Sequence, residues 1–303
     1  MNIIETRNLS QRYWRTEALH DLTLTVPEGS VFALLGANGA GKTTTLKVLM
    51  NLLRPSAGVA QVLEVDSVRL GEAQLARIGY VSENQQLPLW MTVRQLLDHC
   101  RPFYPGWDRA LEATLLARFD LPEDRKLKHL SRGMLMKAAL LSSLSYRPKL
   151  LILDEPFSGL DPVVRDDLTQ GLLEAVRQGE TTVLISSHDI EEVERLADRV
   201  ALLENGRLNF TEATEALLGR FRRVEADQEA ASPAGSLPAS WLGWQSGAGR
   251  TSFVESAYQR ETTETLCRKY FPTAAVQAHP MTLREIFITV TRKDRTSAKG
   301  AAA

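Results

Sequence analysis

Short apolar runs alternate along the chain with longer segments in which apolar residues recur three or four positions apart. The short runs are typical of buried strands, and the longer spacing is typical of helices that face a core. Alternating strands and helices predict an α/β fold with a mostly parallel sheet, which binds ligands beyond the carboxyl ends of its strands. The predicted strands cover residues 2–9, 19–26, 31–35, 59–65, 78–81, 150–153, 182–186 and 200–203.

A helix-rich segment, residues 84–145, interrupts this alternation. Apolar residues recur there at helical spacing, separated by short loops. A further helix is predicted over residues 162–177, with Asp161 as its N-cap and Pro162 at its first position. The predicted helices of the helix-rich segment are 91–99, 107–119 and 131–145.

The chain changes character beyond about residue 213. Residues 231–238 consist mainly of Ala, Ser, Pro and Gly and are predicted to form a loop. We predict a first domain over residues 1–213, a small α+β accessory domain over residues 214–292, and a disordered polar tail over residues 293–303. The predicted elements of the accessory domain are strands 222–226, 242–245 and 252–256 and helices 261–270 and 282–291.

Residues 36–44 form a glycine-rich segment, Gly-Ala-Asn-Gly-Ala-Gly-Lys-Thr-Thr, between a predicted strand and a predicted helix. The pattern G-x-x-x-x-G-K-[ST] in this context indicates a phosphate-binding loop. Its glycines let successive backbone N–H groups turn inward, and the helix beginning near Lys42 adds the positive end of its dipole. We expect Lys42 to reach the terminal phosphates and the Thr43 hydroxyl to ligate Mg²⁺. The alternative is a glycine-rich turn that carries a lysine by chance.

Two adjacent carboxylates, Asp154 and Glu155, follow the predicted strand 150–153. In a phosphoryl-transfer site, Asp154 would hold Mg²⁺ through its ligand shell, and Glu155 would polarise the attacking water as general base. The alternative is a solvated strand end, but the phosphate-binding loop favours the functional interpretation.

His188 and Ser131 are two further polar candidates. His188 follows the predicted strand 182–186, where a ligand phosphate would lie, and it could donate a hydrogen bond to a γ-phosphate. A structural histidine is the alternative. Ser131 opens a predicted helix together with Gly133, and the residues alone favour a simple N-cap there.

Composition and charge exclude several classes of protein. The chain has 303 residues, 44% of them hydrophobic and 24% charged, as in ordinary globular proteins. Its 36 Lys and Arg balance 37 Asp and Glu, so no overall basic field would recruit nucleic acid. The cysteines, Cys100 and Cys267, show neither metal-ligand nor disulfide spacing. No signal-peptide pattern is present, and no apolar run approaches the roughly 18 residues that a membrane span needs. We therefore predict a cytosolic chain.

Together these residues resemble the nucleotide-binding subunit of an ABC transporter over roughly residues 1–212. Lys42 and Thr43 correspond to the Walker A motif, Asp154 and Glu155 to Walker B, and His188 to the switch histidine. The segment 130–134 is similar to the signature LSGGQ, and the segment 158–161 to the D-loop. The resemblance implies a P-loop NTPase with an antiparallel N-terminal β-subdomain, a mostly parallel sheet and a helical subdomain.

The resemblance also implies that ATP and Mg²⁺ are the cofactors. Tyr13 lies where the family has an aromatic residue that stacks on adenine. The other implied nucleotide-binding residues are Gly36, Asn38, Gly39, Ala40, Gly41, Lys42, Thr43, Thr44, Ser131, Gly133 and Asp161. The implied metal ligands are Thr43, Asp154 and Glu83.

Two positions depart from the family pattern. The chain has Ser82-Glu83 where Pro-Gln is usual, and Gln85 is a possible substitute for the missing glutamine. The signature has Arg132 and Met134 where Gly and Gln are usual. The Glu83 carboxylate can still ligate Mg²⁺, but its negative charge changes the local electrostatics relative to the usual neutral glutamine.

The implied assembly is a head-to-tail dimer in which each ATP lies between the Walker A of one subunit and the signature of the other. Integral membrane transporter subunits would be the further partners, holding the chain at the inner face of the membrane. Overall resemblance favours export over import, and the alternative is a soluble ABC-type ATPase acting on ribosomes or nucleic acid. Segment 84–107 is expected to form the docking groove, with aromatic packing inside the helical subdomain as the alternative. Its aromatic residues are Trp90, Phe103, Tyr104 and Trp107.

Overall fold

The computed structural model of the chain describes residues 1–177, 181–228 and 237–300. The chain divides into two compact units, Met1–Thr211 and Glu212–Ala303. The division lies slightly before the boundary at residue 213 that the sequence predicts. Each unit has its own sheet structure and its own apolar core.

The first unit contains the elements that form the candidate site. Single turns of 3₁₀ helix lie at Ser67–Arg69, Arg101–Phe103 and Leu127–His129. The strands and helices, in chain order, are β1 (Asn2–Tyr13), β2 (Thr16–Pro27), β3 (Val31–Leu35), α1 (Lys42–Leu49), β4 (Ala57–Val62), β5 (Val65–Asp66), α2 (Glu72–Leu75), β6 (Ile78–Ser82), α3 (Val93–Cys100), α4 (Arg109–Arg118), α5 (Arg132–Leu144), β7 (Leu150–Asp154), α6 (Pro162–Arg177), β8 (Thr182–Ser187), α7 (Ile190–Val193), β9 (Arg199–Glu204) and β10 (Arg207–Ala213).

A six-stranded sheet in the order β10-β9-β3-β8-β7-β6 forms the centre of this unit. The pairs from β9 to β6 are parallel. All residues of β3, β7 and β8 are buried, and this explains their apolar runs at residues 31–35, 150–153 and 183–185. Leu35 pairs with Ser187 and Asp154 with Ser186, so these strands end at one edge of the sheet. The prediction of a mostly parallel sheet is confirmed.

A four-stranded antiparallel sheet in the order β2-β1-β4-β5 lies at the N-terminal side of the chain. The antiparallel N-terminal subdomain that the resemblance implies is confirmed. Strands β1 and β2 are longer than predicted, because their pairing continues from Thr6 opposite Leu24 to Tyr13 opposite Thr16. Most polar residues in this stretch lie on the exposed face of a half-buried sheet, so they do not interrupt the strands, whereas Thr6 and Gln11 are buried.

The helix-rich segment contains α3, α4 and α5, as predicted. Tyr104 stacks on Tyr146 with ring centroids 3.8 Å apart, and the Trp107 ring lies 6.4 Å from the same tyrosine. Trp90 and Phe103 are 67% and 64% exposed. Of the four aromatic residues predicted to form a docking groove, two therefore pack within the helical segment and two lie at its surface.

The second unit is an antiparallel sheet in the order β12 (Trp241–Gly247), β13 (Arg250–Glu255), β11 (Arg222–Ala226) and β14 (Val276–Pro280), with three helices among its described residues. The rings of Trp241 and Phe253 stack 4.1 Å apart in its core, with Phe271 and Cys267 buried beside them. Its elements are α8 (Thr214–Arg220), β11 (Arg222–Ala226), β12 (Trp241–Gly247), β13 (Arg250–Glu255), α9 (Arg260–Tyr270), β14 (Val276–Pro280) and α10 (Leu283–Gly300).

The predicted loop and the predicted tail both belong to the second unit. The predicted loop 231–238 is described only at residues 237 and 238. Helix α10 continues to Gly300 through the segment predicted as a disordered tail, and Thr282 and Glu285 cap its start reciprocally. Residues 301–303 lie outside the described part. Among the described residues, no helix is both long and apolar enough to cross a bilayer.

Candidate functional site

Glycines shape the loop between β3 and α1. A Cβ atom on Gly36 would lie 2.3 Å from the carbonyl oxygen of Leu203. Gly39 and Gly41 have left-handed φ angles of 82° and 107°, which other residues adopt only with strain. Helix α1 begins at Lys42, and the described residues provide no side-chain cap for its first turn. Its first backbone N–H groups are therefore available to an anion.

The ammonium of Lys42 is held within this loop. Its Nζ donates to the carbonyl oxygens of Gly36 at 2.7 Å and Ala37 at 3.3 Å. The same nitrogen lies 3.0 Å from Oε1 of Glu155, and the lysine side chain is 5% exposed. The loop therefore fixes a positive charge beside the carboxylate of Glu155.

Asp154 receives two hydroxyl hydrogen bonds at the end of β7. Thr43 donates to its Oδ1 at 3.1 Å, and Ser186 donates to the same oxygen at 2.6 Å. Asp154 is buried, and within the described ranges it makes no ion pair with a basic side chain. A carboxylate and a hydroxyl are the oxygen donors that Mg²⁺ prefers, so these residues fit the implied ion. Proteins usually bind Mg²⁺ through one or two carboxylates together with phosphates of the substrate, and Asp154 and Thr43 would supply the protein's share here. The described residues contain no cluster of three or more His, Cys, Asp or Glu that could hold a metal.

Glu155 is held by contacts with Ser186, His188 and Lys42, and its backbone is strained. Its φ angle is 53°, and its N–H donates to Oγ of Ser186 at 3.1 Å. Oε2 lies 2.7 Å from Nδ1 of His188 and accepts from the His188 backbone N–H at 3.2 Å. Burial raises the pKa of Glu155, but the hydrogen bonds from His188 and Lys42 outweigh it, so the pKa lies below its ordinary value. Glu155 is therefore ionised at neutral pH.

These residues line a cavity of about 390 Å³, which we call the phosphate cavity. It brings together most of the residues that the sequence singles out on the loop and after β7. Its lining residues are Ala18, Asn38, Gly39, Gly41, Lys42, Thr43, Thr44, Ser82, Glu83, Asn84, Asp154 and Glu155.

The carboxylate of Glu83 is paired inside the subunit. Its Oε1 forms an ion pair with Nη2 of Arg132 and accepts from Oγ of Ser158 at 3.2 Å. Its backbone N–H donates to the carbonyl oxygen of Asp154 at 3.0 Å. Gln85, the predicted substitute, accepts a long hydrogen bond of 3.4 Å from the backbone N–H of Ser82. The predicted metal ligand Glu83 therefore already has a cationic partner.

Comparisons with known proteins identify the family. Residues 19–158 match the family described as ABC transporter. The ABC transporter ATP-binding protein YtrB of Bacillus subtilis (strain 168) is 34% identical over 225 residues, which cover 74% of this chain and 76% of that protein. The chain belongs to the ABC transporter family of ATP-binding proteins. It is thus an ATPase with the P-loop cassette fold.

Two further relatives of this ABC ATPase add to the comparison. The Nod factor export ATP-binding protein I of Burkholderia orbicola (strain AU 1054) is 37% identical over 220 residues, covering 71% of this chain and 72% of that protein. A solved structure of an ATP-binding subunit of an ABC transporter superposes with a TM-score of 0.65 at 29% identity, covering 71% of this chain and 91% of its own.

Two residues of the ABC ATPase with predicted nucleotide-binding roles, Ala40 and Tyr13, are not among the described residues that line the phosphate cavity, and their roles stay predictions. Ala40 is buried, and its carbonyl oxygen accepts from the backbone N–H of Gly206 at 3.0 Å. Tyr13 is 41% exposed at the end of β1, and it is not among the described residues that line the phosphate cavity. Sequence reasoning missed Ala18 and Ser186, because neither a small residue in a strand nor a serine within an apolar run carries a distinctive signal.

The signature and D-loop residues have structural contacts within the subunit. Ser131 is exposed and caps α5, accepting from the N–H of Met134 at 3.2 Å. Asp161 caps α6 as predicted, accepting from two N–H groups of its first turn. Gly133 is buried, and a Cβ atom there would lie 2.8 Å from Cγ1 of Val164. A nucleotide-binding role for these three residues stays a prediction.

The packing of Gly133 can be separated from its predicted role at ATP. We expect Gly133→Ala to lower the free energy of unfolding by about 1–3 kcal/mol, because the added methyl overlaps with Val164. Adding Val164→Ala should recover part of that loss in urea unfolding. If the two losses simply add, the overlap is not the cause. If stability recovers without ATPase activity, Gly133 has a second role at the nucleotide.

Proposed function

We propose that this chain pairs head to tail with a second copy or a close relative, and that ATP-driven closure of the pair powers export through integral membrane subunits. In this proposal, Met1–Thr211 is the cassette and Glu212–Ala303 is an accessory domain. The assembled complex would hold the chain at the inner face of the membrane. Nucleic acid is not an expected partner.

The main support for this proposal is the set of residues that line the phosphate cavity. It gathers the glycine-rich loop, Lys42, the Asp154 carboxylate and the Glu155 carboxylate, which is bound to His188. None of the described residues that line it comes from the start of α5, where Ser131 is exposed. One subunit therefore supplies the groups that would bind phosphate and Mg²⁺ and would activate water. The exposed start of α5 would contact the nucleotide bound to a partner subunit.

The chemistry of the site follows from its contacts. Phosphate oxygens binding to Lys42 would replace Oε1 of Glu155 as the anionic partner of this ammonium. Oε1 could then accept a proton from the attacking water, while the backbone N–H and Nδ1 of His188 keep hold of Oε2. Asp154 and Thr43 would hold Mg²⁺, which neutralises charge on the phosphates during transfer.

Two observations support membrane partners and export. Leu89, Trp90 and Phe103 expose apolar side chains on the helical segment, and exposed aromatic residues are typical of protein contacts. The relative from Burkholderia orbicola is named for Nod factor export. The segment 84–107 is therefore our candidate docking surface for a membrane subunit.

A membrane pull-down tests this proposal. The tagged full chain, expressed in its own host and solubilised in detergent, should co-purify with an integral membrane protein in stoichiometric amount. Replacing Trp90 and Phe103 together with serine should reduce recovery of that protein by about tenfold, because burial of two aromatic side chains is lost.

The control is Leu52→Ser, which alters another exposed apolar residue, 63% exposed, outside the docking segment. It should leave recovery unchanged. Recovery of ribosomes or nucleic acid in place of a membrane protein, with sensitivity to salt, would contradict the transport proposal and favour the soluble alternative.

A further inference from the structure

The two departures from the family pattern contact each other in this structure. Glu83 and Arg132 lie 49 positions apart, and they form an ion pair in which the side chains are 28% and 52% exposed. The guanidinium also lies against Gly159, where a Cβ atom would be 2.8 Å from Nη1. Ser158 donates to the same carboxylate oxygen of Glu83. One arginine thus joins three separate segments of the cassette.

The pair lies between two cavities. Glu83 lines both the phosphate cavity and a neighbouring groove of about 300 Å³, whereas Arg132 is among the lining residues of the groove alone. The backbone of Glu83 is fixed by its hydrogen bond to Asp154. Arg132 therefore reaches the carboxylate from outside the phosphate cavity and takes up none of its space.

The charges that line the phosphate cavity make this contact important. Three carboxylates, those of Glu83, Asp154 and Glu155, face a single ammonium from Lys42, so the described lining carries a net charge of −2. A nucleotide brings several further negative charges, and like charges at short range in a partly buried site repel strongly. Neutralising Glu83 halves the net charge of the lining.

We propose that Arg132 neutralises Glu83 within the same subunit, and that this allows nucleotide phosphates to bind a cavity whose lining would otherwise repel them. Arg132 is a positioning residue that acts through Glu83, and its guanidinium lies against Gly159, whose neighbour Ser158 donates to Glu83. The inference rests on the proposed placement of the phosphates in this cavity.

The test measures binding of ADP to the purified full chain in EDTA, at a concentration where gel filtration shows one subunit. We expect Arg132→Gln to weaken ADP binding by about tenfold, because Glu83 is then an unpaired charge. Glu83→Gln should bind ADP up to about threefold more tightly, because Arg132 is then an unpaired cation. The double variant should return to within about twofold of the wild type. Added salt should shrink the Arg132→Gln defect.

Arg147→Gln is the matched control, because Arg147 is 47% exposed and pairs with Asp108, 26% exposed, away from both cavities. It should bind ADP as the wild type does. Thermal unfolding should show that each variant is folded. Arg132→Lys, which retains the charge, should keep most of the affinity even if Arg132→Gln proves unstable.

Two results would overturn the inference. A double variant as weak as Arg132→Gln would assign Arg132 a steric role, and wild-type binding by Arg132→Gln would leave it only a role toward a partner subunit. A further variant, Lys42→Ala, distinguishes failure of this inference from failure of the proposed nucleotide site. If Lys42→Ala binds ADP normally, the proposed site is wrong, whereas its loss of binding beside a normal Arg132→Gln rejects this inference alone.

Discussion

Glu155→Gln should retain ATP binding and lose ATP hydrolysis by about 10²–10⁴-fold, the usual contribution of a general base. An amide keeps the shape of the side chain, and its single oxygen can accept from Lys42 or from the His188 backbone N–H but not from both. It does not accept the proton of water. ATP would therefore remain bound, and the proposed pair of subunits should stay closed. Phosphate release measures the first effect, and gel filtration with ATP measures the second.

Glu204→Gln is the control for this variant. Glu204 ends β9 in the same sheet but is not among the described residues lining the phosphate cavity. Its substitution should leave turnover unchanged. Hydrolysis by Glu155→Gln at the wild-type rate would assign the general base to another group, and His188, 2.7 Å away, would be the first candidate.

Lys42→Ala should weaken nucleotide binding by about a hundredfold or more. The variant loses the ammonium that phosphate oxygens would contact. It also leaves Oε1 of Glu155, a carboxylate that is only 13% exposed, without its lysine partner, while Oε2 keeps its contacts with His188. Breaking a buried ion pair on one side costs about 3–5 kcal/mol, so stability should fall as well. Calorimetric titration measures the affinity, and urea unfolding measures the stability.

A double variant separates the two effects of Lys42→Ala. Lys42→Ala combined with Glu155→Gln should regain much of the lost stability, because no unpaired charge remains, but it should not regain nucleotide affinity. Lys47→Ala is the control, since Lys47 is exposed in the last turn of the same helix. Equal affinity in Lys42→Ala and the wild type would contradict the phosphate cavity as the nucleotide site.

The sequence predicted well those elements whose signal is local. Strand β3 and helix α6 have the predicted bounds, because an apolar run before a glycine-rich loop, and a capped start with proline, are unambiguous. The lengths of strands β1 and β2 were underestimated, since most of their polar positions belong to one exposed face. Helix α8 and strand β14 were missed, because short segments rich in polar residues show little periodicity.

In the candidate site, too, residues with a local sequence signal were predicted and contacts that depend on tertiary packing were not. Lys42, Thr43, Asp154 and Glu155 follow from motifs, and the parallel sheet brings them to one edge. The contact of Glu83 with Arg132 could not be predicted, because it joins residues on separate elements whose distance depends on the packing of α5. The inward packing of Tyr104 and Trp107 depends on that tertiary structure too.

The hydroxyl of Ser186 links the positions of Asp154 and Glu155 in the candidate site. It donates to Asp154 and accepts from the N–H of Glu155, so one side chain on β8 is bound to both neighbours at the end of β7. A shift of β8 along β7 would displace the carboxylate of Asp154 and the backbone of Glu155 together. In the proposed mechanism, placement of the metal by Asp154 and activation of water by Glu155 would therefore change together.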